Sequence, residues 1–120
     1  MFCEETQLVT IIDFNVSVDL KQTNGVTSEP TGLKEWSAPE TRSHPEYDQQ
    51  CDMWSCGCLL YFIYKEGDNP FIMASPTAQN IEEALVDFGK VVDDFEKGPL
   101  LVDLIESLLR LDPAQRLTAE

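Results

Sequence analysis

The sequence predicts a mainly α domain of the α+β class: a short N-terminal β hairpin, a long polar loop, then helices around a buried central helix. Three observations carry this. Residues 51–66 form a helix-length run whose apolar side chains point in every direction. Residues 81–88 and 100–111 repeat apolar positions at helical spacing. A β-branched, apolar run, Leu8-Val9-Thr10-Ile11-Ile12, stands ahead of the loop and reads as a strand.

In chain order, Met1-Phe2-Cys3 is a short apolar stretch, and the polar residues 4–7 turn the chain into the strand at 8–12. Residues 19–32 are polar, and Gly25, Pro30 and Gly32 break any period, which predicts a loop. The central helix follows. Between Asp52 and Lys65 lie Met53, Trp54, Cys56, Cys58, Leu59, Leu60, Tyr61, Phe62, Ile63 and Tyr64. A helix apolar all round belongs inside protein or membrane. A bilayer needs about 20 apolar residues, and this run is shorter and bounded by charges, so protein is expected on all its sides. Without that cover Met53, Trp54 and Leu60 would form an exposed apolar patch. Asp52 suits the first turn, at the positive end of the helix dipole. Gly57 costs about 1 kcal/mol relative to alanine in mid-helix, a cost that close approach of another backbone would justify.

Residues 67–71, Gly-Asp-Asn-Pro-Phe, form a turn that returns an aromatic to the core. Ile81, Ala84, Leu85 and Phe88 make one helical stripe, with Glu82, Glu83 and Asp87 opposite. Val91, Val92 and Phe95 read as a separate short segment broken by Gly98-Pro99. Leu101, Leu104, Ile105, Leu108 and Leu111 share one side of a further helix. Asp112-Pro113 stops it, because proline disfavours helical geometry in its predecessor. Residues 118–120 look like the start of another helix.

The 120 residues suffice for one domain, with 42% apolar residues and no repeat or low-complexity tract. A net charge of −14 argues against nucleic acid and anionic membrane, which both demand basic surface; any charge-steered partner should be basic, but the acidic residues at 82–83 and 93–96 read first as solvated helix face that keeps the chain soluble. Cys3, Cys51, Cys56 and Cys58 have neither a disulfide framework nor converging metal spacing, and His44 is the one histidine. Reduced thiols fit best, which places the chain in the cytoplasm or nucleus. Met1 begins neither a signal peptide nor a membrane span.

Five motifs occur in order: Asp13-Phe14-Asn15, Ala38-Pro39-Glu40, Asp52-x-Trp54-Ser55-x-Gly57, Gly67-x-x-Pro70-Phe71 and Asp112-Pro113-x-x-Arg116. Together they resemble the C-terminal lobe of eukaryotic protein kinases, from the activation segment to the penultimate helices. The resemblance implies a partial protein kinase domain over residues 1–120, with an activation segment at 13–40 and the central helix at 51–66. It implies that Asp13 binds the magnesium that bridges ATP phosphates, and that Phe14 packs to switch the loop. Asn15 stands where the family has Gly, and Asn tolerates the positive φ that glycine serves there. Asp52 would hold the backbone of the catalytic loop. Thr23, Thr27, Ser28 and Thr31 are the hydroxyls available for phosphorylation, in a segment whose Ser/Thr content is equally that of an ordinary loop. Trp36 fills the family's aromatic position, but Leu33 replaces a threonine that in Ser/Thr-selective members bonds the catalytic residues.

The resemblance also implies that Glu40 pairs with Arg116. The physical reason is anchoring: a long polar segment needs a fixed attachment at its C-terminal end, and a guanidinium fork can bind a carboxylate bidentately. A narrower similarity lies in Trp36, the run from Gly57 through Phe71, and Asn80-Ile81. These are similar to the kinase part of the unfolded-protein-response sensor kinase/endoribonucleases.

What the resemblance implies for function is ATP- and magnesium-dependent phosphoryl transfer to Ser/Thr hydroxyls in a full-length parent. A kinase also needs a Gly-rich loop, a strand lysine, its helix glutamate and a catalytic loop. These 120 residues contain no G-x-G-x-x-G and no H-R-D-like run. The chain alone is therefore expected to be inactive and to hold no cofactor. The alternative is a pseudokinase remnant that serves as a protein-binding module, with a protein substrate or docking partner in either case.

Overall fold

The computed structural model describes residues 2–3, 6, 8–28, 32–69, 71, 76–93 and 98–119, the backbone alone at 2–3. Thr31, Pro70 and Phe95 lie outside the described residues. Strands β1 (Phe2–Cys3) and β2 (Leu8–Val9) pair antiparallel with Phe2 opposite Val9 and Cys3 opposite Leu8. Among the described residues four helices follow: α1 (Glu40–Ser43), α2 (Gln50–Tyr64), α3 (Ala78–Val92) and α4 (Gly98–Leu108), then a 3-10 turn at Pro113–Gln115. The mainly helical class read from the sequence holds.

Helices α2, α3 and α4 pack mutually, and the core sits among them. Trp54, Cys58 and Tyr61 of α2 meet Ile81, Ala84, Phe88 and Val92 of α3 and Ile105 of α4. Tyr61 and Tyr64 each place a ring against Phe88, at centroid distances of 5.5 and 6.0 Å. Lys65 at the end of α2 bonds Asp87 of α3 at 2.6 Å, and this hydrogen bond holds the Asp87 carboxyl below its ordinary range.

The helix boundaries correct the sequence reading in places. Helix α3 begins under a Thr77 cap, whose hydroxyl accepts from the Asn80 N–H at 3.2 Å, and runs unbroken through Val91 and Val92. Val92 continues the Ile81–Ala84–Phe88 face, so it was never a separate segment. Gly98-Pro99 does not break a helix but opens α4, because proline is tolerated in a first turn where its missing N–H has no intrahelical acceptor. The helix start expected at 118–120 falls partly outside the described residues, since Glu120 is not among them.

Packing on every side of α2 does not hold either. Asp52, Cys56, Leu59 and Ile63 recur at helical spacing and are all exposed, so the helix has a bare stripe. Trp54 is not part of it: its ring is wholly buried, while Met53 and Leu60 are half-buried. The strand at 8–12 is also shorter than expected. Ile11 and Ile12 leave the ladder and are exposed, since the described residues provide no third strand or helix to cover the hairpin.

Gly57 is explained by side chains rather than by the neighbouring backbone the sequence reading invoked. A Cβ there would lie 2.8 Å from Leu109 Cδ2 and 3.0 Å from Leu108 Cβ, both buried leucines just where α4 ends. Gly57→Ala would gain about 1 kcal/mol of helix propensity but should lose about 1–3 kcal/mol to overpacking. A lower urea midpoint is the expected outcome. A stabilised variant would show that α4 can shift away freely.

Candidate functional site

Residues 32–41 form a strap laid across α2. Trp36 packs edge-on against Phe62 at 5.3 Å, and the Ser55 hydroxyl donates to the Trp36 carbonyl at 2.9 Å. Asn69 donates to the Glu35 carbonyl at 3.1 Å, while its own side-chain oxygen accepts from the Phe71 N–H at 2.9 Å. Phe71 in turn stacks on Trp54 at 5.3 Å. Asn69 is thus a positioning residue that sequence reasoning passed over. The signal was present: a turn-forming Asn beside Pro.

The strap ends at the short helix α1, where Ala38, Glu40 and Thr41 are buried and the Thr41 hydroxyl donates to the Ala38 carbonyl at 2.7 Å. Opposite stands Arg116, directly after the 3-10 turn that Asp112 caps through the Ala114 N–H. Arg116 Nη1 lies 2.6 Å from Glu40 Oε1, and Nη2 lies 3.1 Å from Oε2, a bidentate pair. Arg116 also donates to the Gln50 carbonyl at 2.6 Å and twice to the Arg110 carbonyl, at 2.8 and 3.1 Å. A guanidinium has five N–H donors, and each has an acceptor here. Its central carbon also lies 5.3 Å from the Trp54 ring centroid. Gln50 reciprocates, donating to the Pro113 and Arg116 carbonyls at 3.2 Å. One buried cation therefore joins α1, the start of α2, the residues after α4 and the Trp54 core.

Upstream, the 13–28 stretch is held more lightly. Asp19 accepts from the Lys21 N–H and the Gln22 amide, and Asn24 and Gly25 take positive φ to turn the chain. Thr27 and Tyr47 exchange backbone hydrogen bonds at 2.8 and 2.9 Å, which fastens the stretch to the approach of α2. The phosphosite candidates separate here. The Thr23 hydroxyl is buried, Thr27 is half-buried, and Ser28 is exposed. Thr31 lies outside the described residues.

Asp13 is exposed, and among the described residues its carboxylate has no partner. It takes φ 68° itself, whereas Asn15, expected to serve the positive-φ position, does not. Asp52 stands exposed in the first turn of α2, 3.8 Å from the Cys51 thiol. His44 is exposed beside the Ser43 hydroxyl. Among the described residues no group of three or more His, Cys, Asp or Glu side chains could hold a metal ion. No helix among them is long and apolar enough to cross a membrane.

Their surroundings disfavour the thiolates of Cys51 and Cys58. Burial first, then the charges of Asp52, Glu40 and Asp48, push Cys51 up to about 12; burial likewise pushes Cys58 to about 12 and raises Cys56. A rise from 9.0 to about 12 at Cys51 and Cys58 cuts their thiolate fraction near neutral pH by about a thousandfold. Site-resolved alkylation at pH 8 should label these two far more slowly than an unfolded control. Equal rates would contradict it.

The family model for the protein kinase domain matches residues 1–120. The chain belongs to the protein kinase domain family. Within it, this kinase-domain chain is 33% identical over 118 residues to ribosomal protein S6 kinase 2 alpha of Gallus gallus, covering 93% of the chain and 15% of that protein. It is 32% identical over 120 residues to ribosomal protein S6 kinase alpha-1 of Homo sapiens, covering 95% and 16%. For ribosomal protein S6 kinase alpha-6 of Mus musculus the identity is 32% over 120 residues, covering 93% and 15%. The chain thus spans about one-sixth of the length of these curated relatives.

Proposed function

We propose that the chain is part of an ATP-dependent protein kinase that transfers phosphate to Ser/Thr hydroxyls of proteins in the cytoplasm or nucleus. The observation that carries the reading is the bidentate Glu40–Arg116 pair, which ties the end of the 13–40 segment to the helical core of a kinase-family chain. In this reading 13–40 is the activation segment, with Ser28 the exposed hydroxyl among its described phosphosite candidates. Asp52 holds the catalytic loop.

Magnesium fits the one donor present. Asp13 offers an exposed, unpartnered carboxylate, and magnesium is commonly held by one or two carboxylates together with substrate phosphates. When bound, the metal would neutralise the charge developing on the nucleotide phosphates. The residues that grip the nucleotide are not among these 120, so the chain alone is proposed to bind neither ATP nor magnesium tightly.

The test is phosphate transfer from labelled ATP to Ser- and Thr-containing peptides by the full-length protein. Transfer abolished by Asp13→Ala supports the reading. Transfer unaffected by Asp13→Ala contradicts the role of Asp13. One observation favours a second reading. Leu33, in the position of the family's threonine, is 70% exposed and cannot donate a side-chain hydrogen bond. A full-length protein that binds partners but transfers no phosphate would establish the pseudokinase alternative.

A further inference from the structure

An open groove of about 580 Å³ runs between α3 and the residues from Glu106 to Gln115 that end α4 and follow it. Its apolar floor includes Leu85, Val86 and Leu111; Val86 is 58% exposed and Leu111 39% exposed. Glu82, Glu106 and Asp112 stand around it, with one basic group, Arg110, committed to Glu106 at 2.7 Å. The groove therefore keeps a surplus of negative charge beside bare apolar surface. Along α3 its lining extends from Ala78 to Val86, about 12 Å at the helical rise, or two turns of a partner helix.

We propose that this groove docks a basic amphipathic helix of a partner protein, leucine-type side chains on the floor and Lys or Arg toward the acidic rim. Two features select this occupant. Docked helices present apolar anchors at i, i+3/i+4 and i+7, which two turns can supply to a groove of this length. The charge selects basic flanks, since a second copy of this chain, at −14, would bring like charge to an acidic rim. Asp13 and Glu40 do not line the groove, so docking requires neither ATP nor phosphoryl transfer.

The test is fluorescence anisotropy with the full-length protein, without nucleotide. The probe is a labelled helical peptide with leucines at i, i+4 and i+7 flanked by lysines, compared with the same peptide carrying glutamates for the lysines. Saturable binding of the basic peptide alone is expected, weakening as salt rises from 50 to 300 mM. Glu82→Lys and Val86→Gln alter exposed side chains and leave the thermal midpoint in place; each should weaken binding about tenfold, through lost charge attraction and lost apolar contact respectively. Equal binding of the two peptides, no saturable binding, or undiminished binding by both variants would overturn the proposal. So would sedimentation showing that this face is closed by a second copy.

Discussion

Arg116→Ala is expected to destabilise the domain by about 3–5 kcal/mol, because it strands a buried carboxylate. Glu40→Ala should cost a similar amount by stranding the cation. The side chains are 0% and 5% exposed, so water cannot take the place of the missing partner. The bidentate bonds at 2.6 and 3.1 Å are part of a larger loss, since the Gln50 and Arg110 carbonyls also lose a donor in Arg116→Ala. A pair of this geometry on the surface would be worth only about 0–1 kcal/mol, so the size of the effect measures burial. Arg116→Lys should not rescue: an ammonium offers three donors from one point and cannot bridge both carboxylate oxygens and two carbonyl groups at once. Urea denaturation of each variant reads these values. Losses below about 1 kcal/mol would show that the pair is solvated.

Trp54→Ala should cost about 3–5 kcal/mol, the usual range for emptying a buried aromatic site. Trp54 is wholly buried, stacks on Phe71 and lies against the Arg116 guanidinium, so its loss opens a cavity and loosens the anchor together. Trp54→Phe should cost markedly less. It keeps a ring for Phe71 and removes an indole N–H that has no hydrogen-bond partner among the described residues, a buried donor whose unsatisfied cost is about 1–3 kcal/mol. Calorimetry of the two variants separates the terms. A phenylalanine variant as unstable as the alanine variant would show that ring shape, not the unpaired N–H, decides the site.

The helical framework was legible because α3 and α4 obey the period that burial imposes. Ile81, Ala84 and Phe88 stand at helical spacing, and Ile105 and Leu108 bury the same side of α4. Val92 was misassigned because Gly98-Pro99 suggested a boundary that the chain uses instead as a helix start. Which residues form the bare stripe of α2 was not legible. Cys56, Leu59 and Ile63 are as apolar as the buried residues beside them, and a pattern without a polar face cannot say which side is covered.

The Glu40–Arg116 contact joins positions 76 residues apart. No local period reports such a pair, and only the order of motifs suggested it. Its further partners are backbone carbonyls, at Gln50 and Arg110, so no residue type could have betrayed them. The burial of the Thr23 hydroxyl is likewise a property of how the loop folds back, invisible in a polar sequence.

The central claim is that one buried ion pair fastens the 13–40 segment to the helical core. A double-mutant cycle with Glu40→Ala and Arg116→Ala in the full-length protein tests it most directly. The account predicts strong coupling: the double variant should be far more stable than the sum of the two single losses implies, because removing both charges strands neither. Additive losses, within about 0.5 kcal/mol, would contradict it.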